Sequence, residues 1–200
     1  MSIDKIWLFD TTLRDGGQTR GVDFSRADKI AIANALDDIG IDYIEAGWPG
    51  ANPTDDAFFA KPPKLKNAKL VSFGMTRRGG RSAANDPGLN AVIDADVDAA
   101  CLVGKTWDFH VKTALNTSLD ENIEMIRQSL IAAKERGREP MFDCEHFFDG
   151  FNNNPDFALD CIHAAKEGGA SWVVLCDTNG GTLPDVVFDV VSHVRKKMPD

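Results

Sequence analysis

Short apolar runs alternate with amphipathic stretches along the whole chain, and this alternation constrains the fold more than any other feature. The runs are Ile6-Trp7-Leu8-Phe9, Ile41-Asp42-Tyr43-Ile44, Leu70-Val71-Ser72-Phe73-Gly74-Met75, Ala99-Ala100-Cys101-Leu102-Val103, Met141-Phe142-Asp143-Cys144 and Trp172-Val173-Val174-Leu175-Cys176. Each is bounded by turn residues and reads as a buried strand. The helices between them have legible ends. Ser25 with Asp28 forms a capping box, Ile32, Ala35, Leu36 and Ile39 recur at helical spacing, and Gly40 closes the segment. A weaker helix starts near Thr54 and stops by Pro62-Pro63. The next begins around Asp86-Pro87 and runs through Leu89, Val92 and Ile93. Ser118 with Glu121 opens a helix striped by Ile123, Ile126, Leu130 and Ala133 and ended by Gly137. Asn154-Pro155 opens another, with Phe157, Cys161 and Ala165 on one face and Gly168-Gly169 after it. The last starts near Pro184-Asp185, with Val187, Val190, Val191 and Val194 expected to face inward.

Strands alternating with helices give a parallel sheet covered by helices. Two α/β architectures compete, an open doubly wound sheet and a TIM (β/α)8 barrel. Reactive side chains follow every strand, as on a barrel rim, whereas an open sheet concentrates them at one switch point. No Gly-x-Gly-x-x-Gly follows the first strand, which weighs further against a dinucleotide fold. Units of roughly thirty residues imply about 250 for eight. The expectation is therefore a TIM (β/α)8-barrel type truncated to about six β-α units: residues 1–200 as one partial catalytic domain, with strands seven and eight and all C-terminal domains absent.

Charge narrows the partners. The net charge of −9 argues against nucleic acid and anionic membrane surfaces. No apolar run reaches the length of a membrane-spanning helix, and the segment Met1-Ser2-Ile3-Asp4-Lys5 lacks a signal-peptide pattern. Cys101, Cys144, Cys161 and Cys176 are widely spaced within apolar runs and form no C-x-x-C pair. They read as reduced core cysteines of a cytoplasmic protein.

The chemistry is densest in Phe9-Asp10-Thr11-Thr12-Leu13-Arg14-Asp15-Gly16-Gly17-Gln18. A turn needs the glycines, but not two carboxylates, an arginine and two hydroxyls at the end of a buried strand. The Arg14 guanidinium suits a carboxylate or a developing enolate oxygen; the alternative is an ion pair that orders the loop. Asp15 is the candidate ligand for a hard divalent ion, Mg2+ or Mn2+. Asp10 is a candidate to orient Arg14, and Gln18 to touch substrate. Glu145 and His146 leave the fifth strand beside Asp143. A carboxylate at a dry rim serves as a general base, unless a neighbouring Arg or Lys neutralises it. Thr178 precedes the last helix, where a hydroxyl donor can meet an anion or close a turn. Arg77, Arg78 and Arg81 bracket Gly79-Gly80, a solvated loop or a receiver of phosphates. Lys105 and Trp107 are candidates to line the pocket.

Asp-Thr-Thr-Leu-Arg-Asp-Gly resembles the opening motif of the metal-dependent TIM-barrel acyltransferases and lyases that include isopropylmalate, homocitrate and citramalate synthases. Glu45-Ala46-Gly47-Trp48-Pro49-Gly50-Ala51-Asn52-Pro53, Gly104-Lys105-Thr106-Trp107-Asp108-Phe109-His110 and Cys176-Asp177-Thr178-Asn179-Gly180-Gly181-Thr182-Leu183-Pro184 narrow the resemblance to the citramalate synthase branch. It implies an acyltransferase that condenses acetyl-CoA with a small 2-oxo acid, pyruvate, to give citramalate and CoA in isoleucine and leucine biosynthesis. It implies Arg14 and Glu145 as catalytic, Arg14, Thr178, Glu45 and Gln18 as substrate-binding, Glu45 supporting Arg14, and Asp15 as a metal ligand. The implied divalent metal site is incomplete in this chain, because the family's His-x-His pair does not occur among His110, His146, His163 and His193. Full-length relatives imply a homodimer. Two alternatives remain: a metal-dependent aldolase or lyase of the same superfamily, and a non-catalytic fragment. On either main reading the 200-residue chain is expected to be inactive alone.

Overall fold

A computed structural model describes residues 5–199. The first four residues, read above for a targeting signal, lie outside the described set, as does Asp200. Six strands form one sheet in the order β1 to β6, every neighbouring pair parallel: β1 Phe9–Asp10, β2 Tyr43–Gly47, β3 Lys69–Met75, β4 Ala99–Lys105, β5 Glu139–Glu145 and β6 Trp172–Leu175. The helices are α1 Arg26–Asp38, α2 Pro53–Phe59, α3 Pro87–Ile93, the single turn α4 Asp108–His110, α5 Leu119–Glu135, α6 Phe147–Asn153, α7 Pro155–Glu167 and α8 Pro184–Lys197. A π-turn, Val111–Leu115, extends α4.

The sheet curls. In a flat sheet β2 and β6 would stand about 19 Å apart, four spacings of the strand ladder. Instead the Trp172 indole Nε1 donates to the Tyr43 hydroxyl at 3.1 Å, and the two rings meet edge-on with centroids 6.2 Å apart. The concave face carries Tyr43, Val71, Phe73, Ala99, Cys101 and Met141, with Phe9, Val103 and Trp172 against them. The convex face packs under the helices in two larger apolar clusters. This is the part-closed barrel sheet expected from the (β/α)8 pattern, with every strand's carboxyl end on one rim.

Several local expectations shift. The run Ile6–Phe9 is not a buried strand: pairing starts at Phe9, and Ile6 is 77% exposed, because β1 lies at the sheet edge. Strand β2 begins at Tyr43, two residues after the expected start, so Glu45 lies within the strand rather than at its end. In α1 the capping box is formed, but the buried face is Lys29, Ala33 and Asp37, while Ala35 and Ile39 face water. The sequence pattern missed this because two of the buried residues are polar with dedicated partners. Lys29 Nζ meets Asp55 Oδ1 and the Ala46 carbonyl, and Asp37 accepts the Lys66, Asn67 and Ala68 N–H groups at 2.7–2.8 Å. In α8, Val187, Val190 and Val194 pack inward, but Val191 turns out beside Phe188. Helices α4 and α6 had no counterpart in the sequence pattern.

Helix α6 packs on the turn after β4 by one close approach. A Cβ at Gly150 would lie 2.3 Å from the Thr106 carbonyl oxygen and 2.9 Å from the Trp107 Cα, both backbone atoms. A glycine inside a helix normally gains about 1 kcal/mol on becoming alanine. Here Gly150→Ala is expected to cost roughly 2 kcal/mol by overpacking, measured by urea denaturation. A stabilised variant would show that the contact does not constrain α6.

Candidate active site

The site is built on the turn after β1. The Thr11 carbonyl accepts the N–H groups of Arg14, Asp15 and Gly16 at 2.9–3.1 Å, and this tight turn aims Arg14 and Asp15 at the concave face. Asp10 does not orient Arg14. Its carboxylate caps the turn instead, taking the Thr12 N–H at 2.9 Å and the Thr12 hydroxyl at 3.1 Å. Orientation comes from Glu45: Arg14 Nε donates to Glu45 Oε2 at 2.6 Å. Arg14 Nη1 donates to Asp15 Oδ1 at 3.1 Å, and the guanidinium lies 3.9 Å over the Phe73 ring.

These groups open on a cavity of about 630 Å³ at the mouth of the curled sheet. Its lining brings together the sequence-nominated Arg14, Asp15, Gln18, Glu145 and Thr178, with Phe73, Met75, Val103, Asp143 and Cys176. Glu45 lies beneath, wholly buried, and its Oε1 has no hydrogen-bond partner among the described residues. Burial pushes the Glu45 carboxyl up to about 7; Arg14 opposes this, and the nearby Asp143 charge adds to it. Asp143 is also pushed up by burial, although it accepts the Cys101 thiol at 3.2 Å. The sequence reading assigns Asp143 no functional role. The signal was the alternation of Met141, Asp143 and Glu145, which puts all three on one face of β5.

Across the cavity, Thr178 Oγ1 accepts the His146 N–H at 2.8 Å, which leaves the hydroxyl hydrogen for an acceptor in the cavity. His146 adopts the left-handed region, φ 56°, and its Nδ1 lies 3.2 Å from Asp149 Oδ2. Glu145 is paired: β4 and β5 are in register at Lys105 and Glu145, and the Lys105 ammonium meets Glu145 Oε2. Lys105 thus holds the candidate base in the cavity. Trp107 lies outside, its ring tilted against His110 with centroids 4.7 Å apart. Arg77 is unavailable to phosphate, being buried and bonded to Gln128 Oε1 and Glu121 Oε1 at 2.9 and 2.7 Å. Among the described residues no helix is long and apolar enough to cross a membrane.

Residues 5–200 match the HMGL-like family. The chain is 50% identical over 199 residues to the (R)-citramalate synthase of Aquifex aeolicus, covering 98% of this chain and 38% of that protein. It is 49% identical over 194 residues to the (R)-citramalate synthase of Streptomyces coelicolor, covering 96% of this chain and 36% of the relative. The chain therefore spans little more than a third of the length of these relatives. The HMG-CoA lyase of Bacillus subtilis shares the fold at a TM-score of 0.78 and 20% identity, over 98% of this chain and 65% of that one.

The buried carboxyl leaves a mark on stability. Folded Glu45 keeps its proton to about 7, against an ordinary value of 4.5, so between these pH values the native state binds more protons than the unfolded one. Stability should then fall as pH rises through that window, by up to roughly 3 kcal/mol. Denaturation of Glu45→Gln across the same pH range should show a shallower fall. An identical slope in both proteins would contradict the burial of an ionisable group there.

Proposed function

The chain belongs to the HMGL-like family, and from that footing we propose that it forms part of the catalytic domain of an acyltransferase condensing acetyl-CoA with pyruvate to give citramalate. One observation carries the proposal. Arg14, held by Glu45 and laid on Phe73, opens on the same cavity as Glu145 and Thr178. That cavity therefore offers a fixed cation and a free hydroxyl hydrogen from opposite sides, the donors a 2-oxo acid carboxylate and an enolate oxygen require.

In this reading Thr178 donates to the carboxylate of the 2-oxo acid. Arg14 stabilises the negative charge that develops on oxygen as the acetyl methyl carbon is deprotonated and attacks the ketone. Glu145 takes the methyl proton once its carboxylate leaves Lys105, and Lys105 then balances the cavity charge. Gln18 lines the substrate side. Hydrolysis of the thioester releases CoA. Asp15 projects at the mouth, with its side chain 64% exposed and Oδ1 on Arg14. It fits one oxygen position of a Mg2+ or Mn2+ ion, which when bound polarises the ketone. One carboxylate does not hold such an ion against water, so binding and proton transfer rest with the side chains. The product suits branched-chain amino-acid synthesis, and four unpaired cysteines suit the reducing cytoplasm.

The test grafts residues 5–200 in place of the matched segment of the Aquifex aeolicus relative and follows thiol release from acetyl-CoA. The proposal expects release that depends on pyruvate, and a fall of about 10²–10³ in kcat on Arg14→Ala. The 200-residue chain alone should release none. A graft that cleaves a carbon–carbon bond without releasing thiol would favour an aldolase or lyase instead.

A further inference from the structure

Beneath the cavity floor, Glu45 on β2, Cys101 on β4 and Asp143 on β5 each offer a ligand atom, and these atoms all lie within 4.8 Å of one another. All three residues are buried, and two of them, Glu45 and Asp143, are carboxylates set among apolar neighbours. The second observation is independent of this clustering: Glu45 Oε1 is fully enclosed yet has no hydrogen-bond partner among the described residues, while Oε2 is committed to Arg14. A buried carboxylate oxygen without a partner is costly, and calls for a proton or a cation. We propose that Glu45, Cys101 and Asp143 form a binding site for a thiophilic divalent ion of the zinc class, separate from the Asp15 position at the cavity mouth.

The chemistry selects the ion. Once deprotonated as ligands, two carboxylates and one thiolate beside the single Arg14 guanidinium sum to two negative charges, which a divalent cation neutralises. Sulfur excludes Mg2+ and favours zinc over hard ions. Tetrahedral zinc with oxygen and sulfur donors sets ligand atoms about 3.4–3.6 Å apart. Cys101 Sγ and Asp143 Oδ1 already stand at 3.2 Å, and with all three ligand atoms within 4.8 Å of one another the site closes by side-chain movement alone. Asp143 lines the cavity, so it is the side chain through which an ion reaches the buried Glu45 and Cys101. A water or a substrate oxygen from that cavity would complete the shell. Binding displaces to solvent the Cys101 thiol proton and the carboxyl proton that burial keeps on Glu45, and the Glu45 Oε2 bond to Arg14 is kept. The site stands apart from the acyltransferase proposal, since its readouts need no turnover.

Cadmium, a spectroscopic stand-in for zinc, should give the full chain a thiolate-to-metal charge-transfer band in the ultraviolet. The band should vanish in Cys101→Ser and weaken in Asp143→Asn. It should persist in Cys176→Ser, whose thiol lines the same cavity, and in Asp15→Asn. No band in the unmutated chain, a band retained without Cys101, or one lost with Cys176 would overturn the site. Should Cys101→Ser not fold, zinc X-ray absorption on the unmutated chain decides. One sulfur at about 2.3 Å with light-atom donors is expected, and a shell with no sulfur or two would contradict the assignment.

Discussion

The Arg14–Glu45 pair is the interaction on which the site depends. It ties the turn after β1 to the interior of β2, so that the most flexible side chain of the opening motif acquires a fixed direction. Removing two charges from water is expensive, and their attraction repays this only when geometry is good and the remaining polar atoms are satisfied. Here geometry is good on one side, with Phe73 under the guanidinium and Asp15 on Nη1. On the Glu45 side one oxygen is left over. The pair is therefore a poor source of stability and a good source of orientation. That imbalance fits a cation held ready for an anionic ligand, and it leaves a carboxyl whose protonation is sensitive to the neighbourhood.

The pair functions only because the sheet curls. Tyr43 and Trp172 meet across the concave face and draw β2 and β6 together, and the same curvature brings the turn after β1 to face Thr178 beyond β6. Parallel register then does the rest. Lys105 and Glu145 are neighbours on adjacent strands, and their charges meet without any loop to place them. A site whose parts come from strand ends inherits the rigidity of the sheet, which long flexible loops could not supply.

Much of this was legible in the sequence, for physical reasons that differ by residue. The β-α alternation pointed to a parallel sheet covered by helices, because strands buried on both faces read as short, mostly apolar runs. Ser25, Asp86, Ser118 and Asn154 cap the helices they precede, since a free amide at a helix start needs an acceptor. Arg14, Asp15, Gln18, Glu145 and Thr178 converge as their positions after strands suggested. What escaped notice was buried polarity. Lys29 and Asp37 sit on the inner face of α1, where hydrophobic periodicity assigns no such residues. Their partners, Asp55 and the Lys66–Ala68 amides, are distant in sequence and cannot be paired by local pattern. Asp143 was hidden in the same way, inside a run that otherwise reads as a buried strand. Asp10 does not reach Arg14, because Thr12 in its own turn, two residues away, takes both of its carboxylate oxygens.

The claim that a buried glutamate aims the arginine at an anion is tested most directly by nitrogen-15 NMR of arginine side chains. The expected result is one Nε–H resonance, assigned by its loss in Arg14→Lys, that exchanges slowly with water and moves when pyruvate is added. An Arg14 Nε–H that exchanges as fast as those of exposed arginines, and ignores pyruvate, would contradict it.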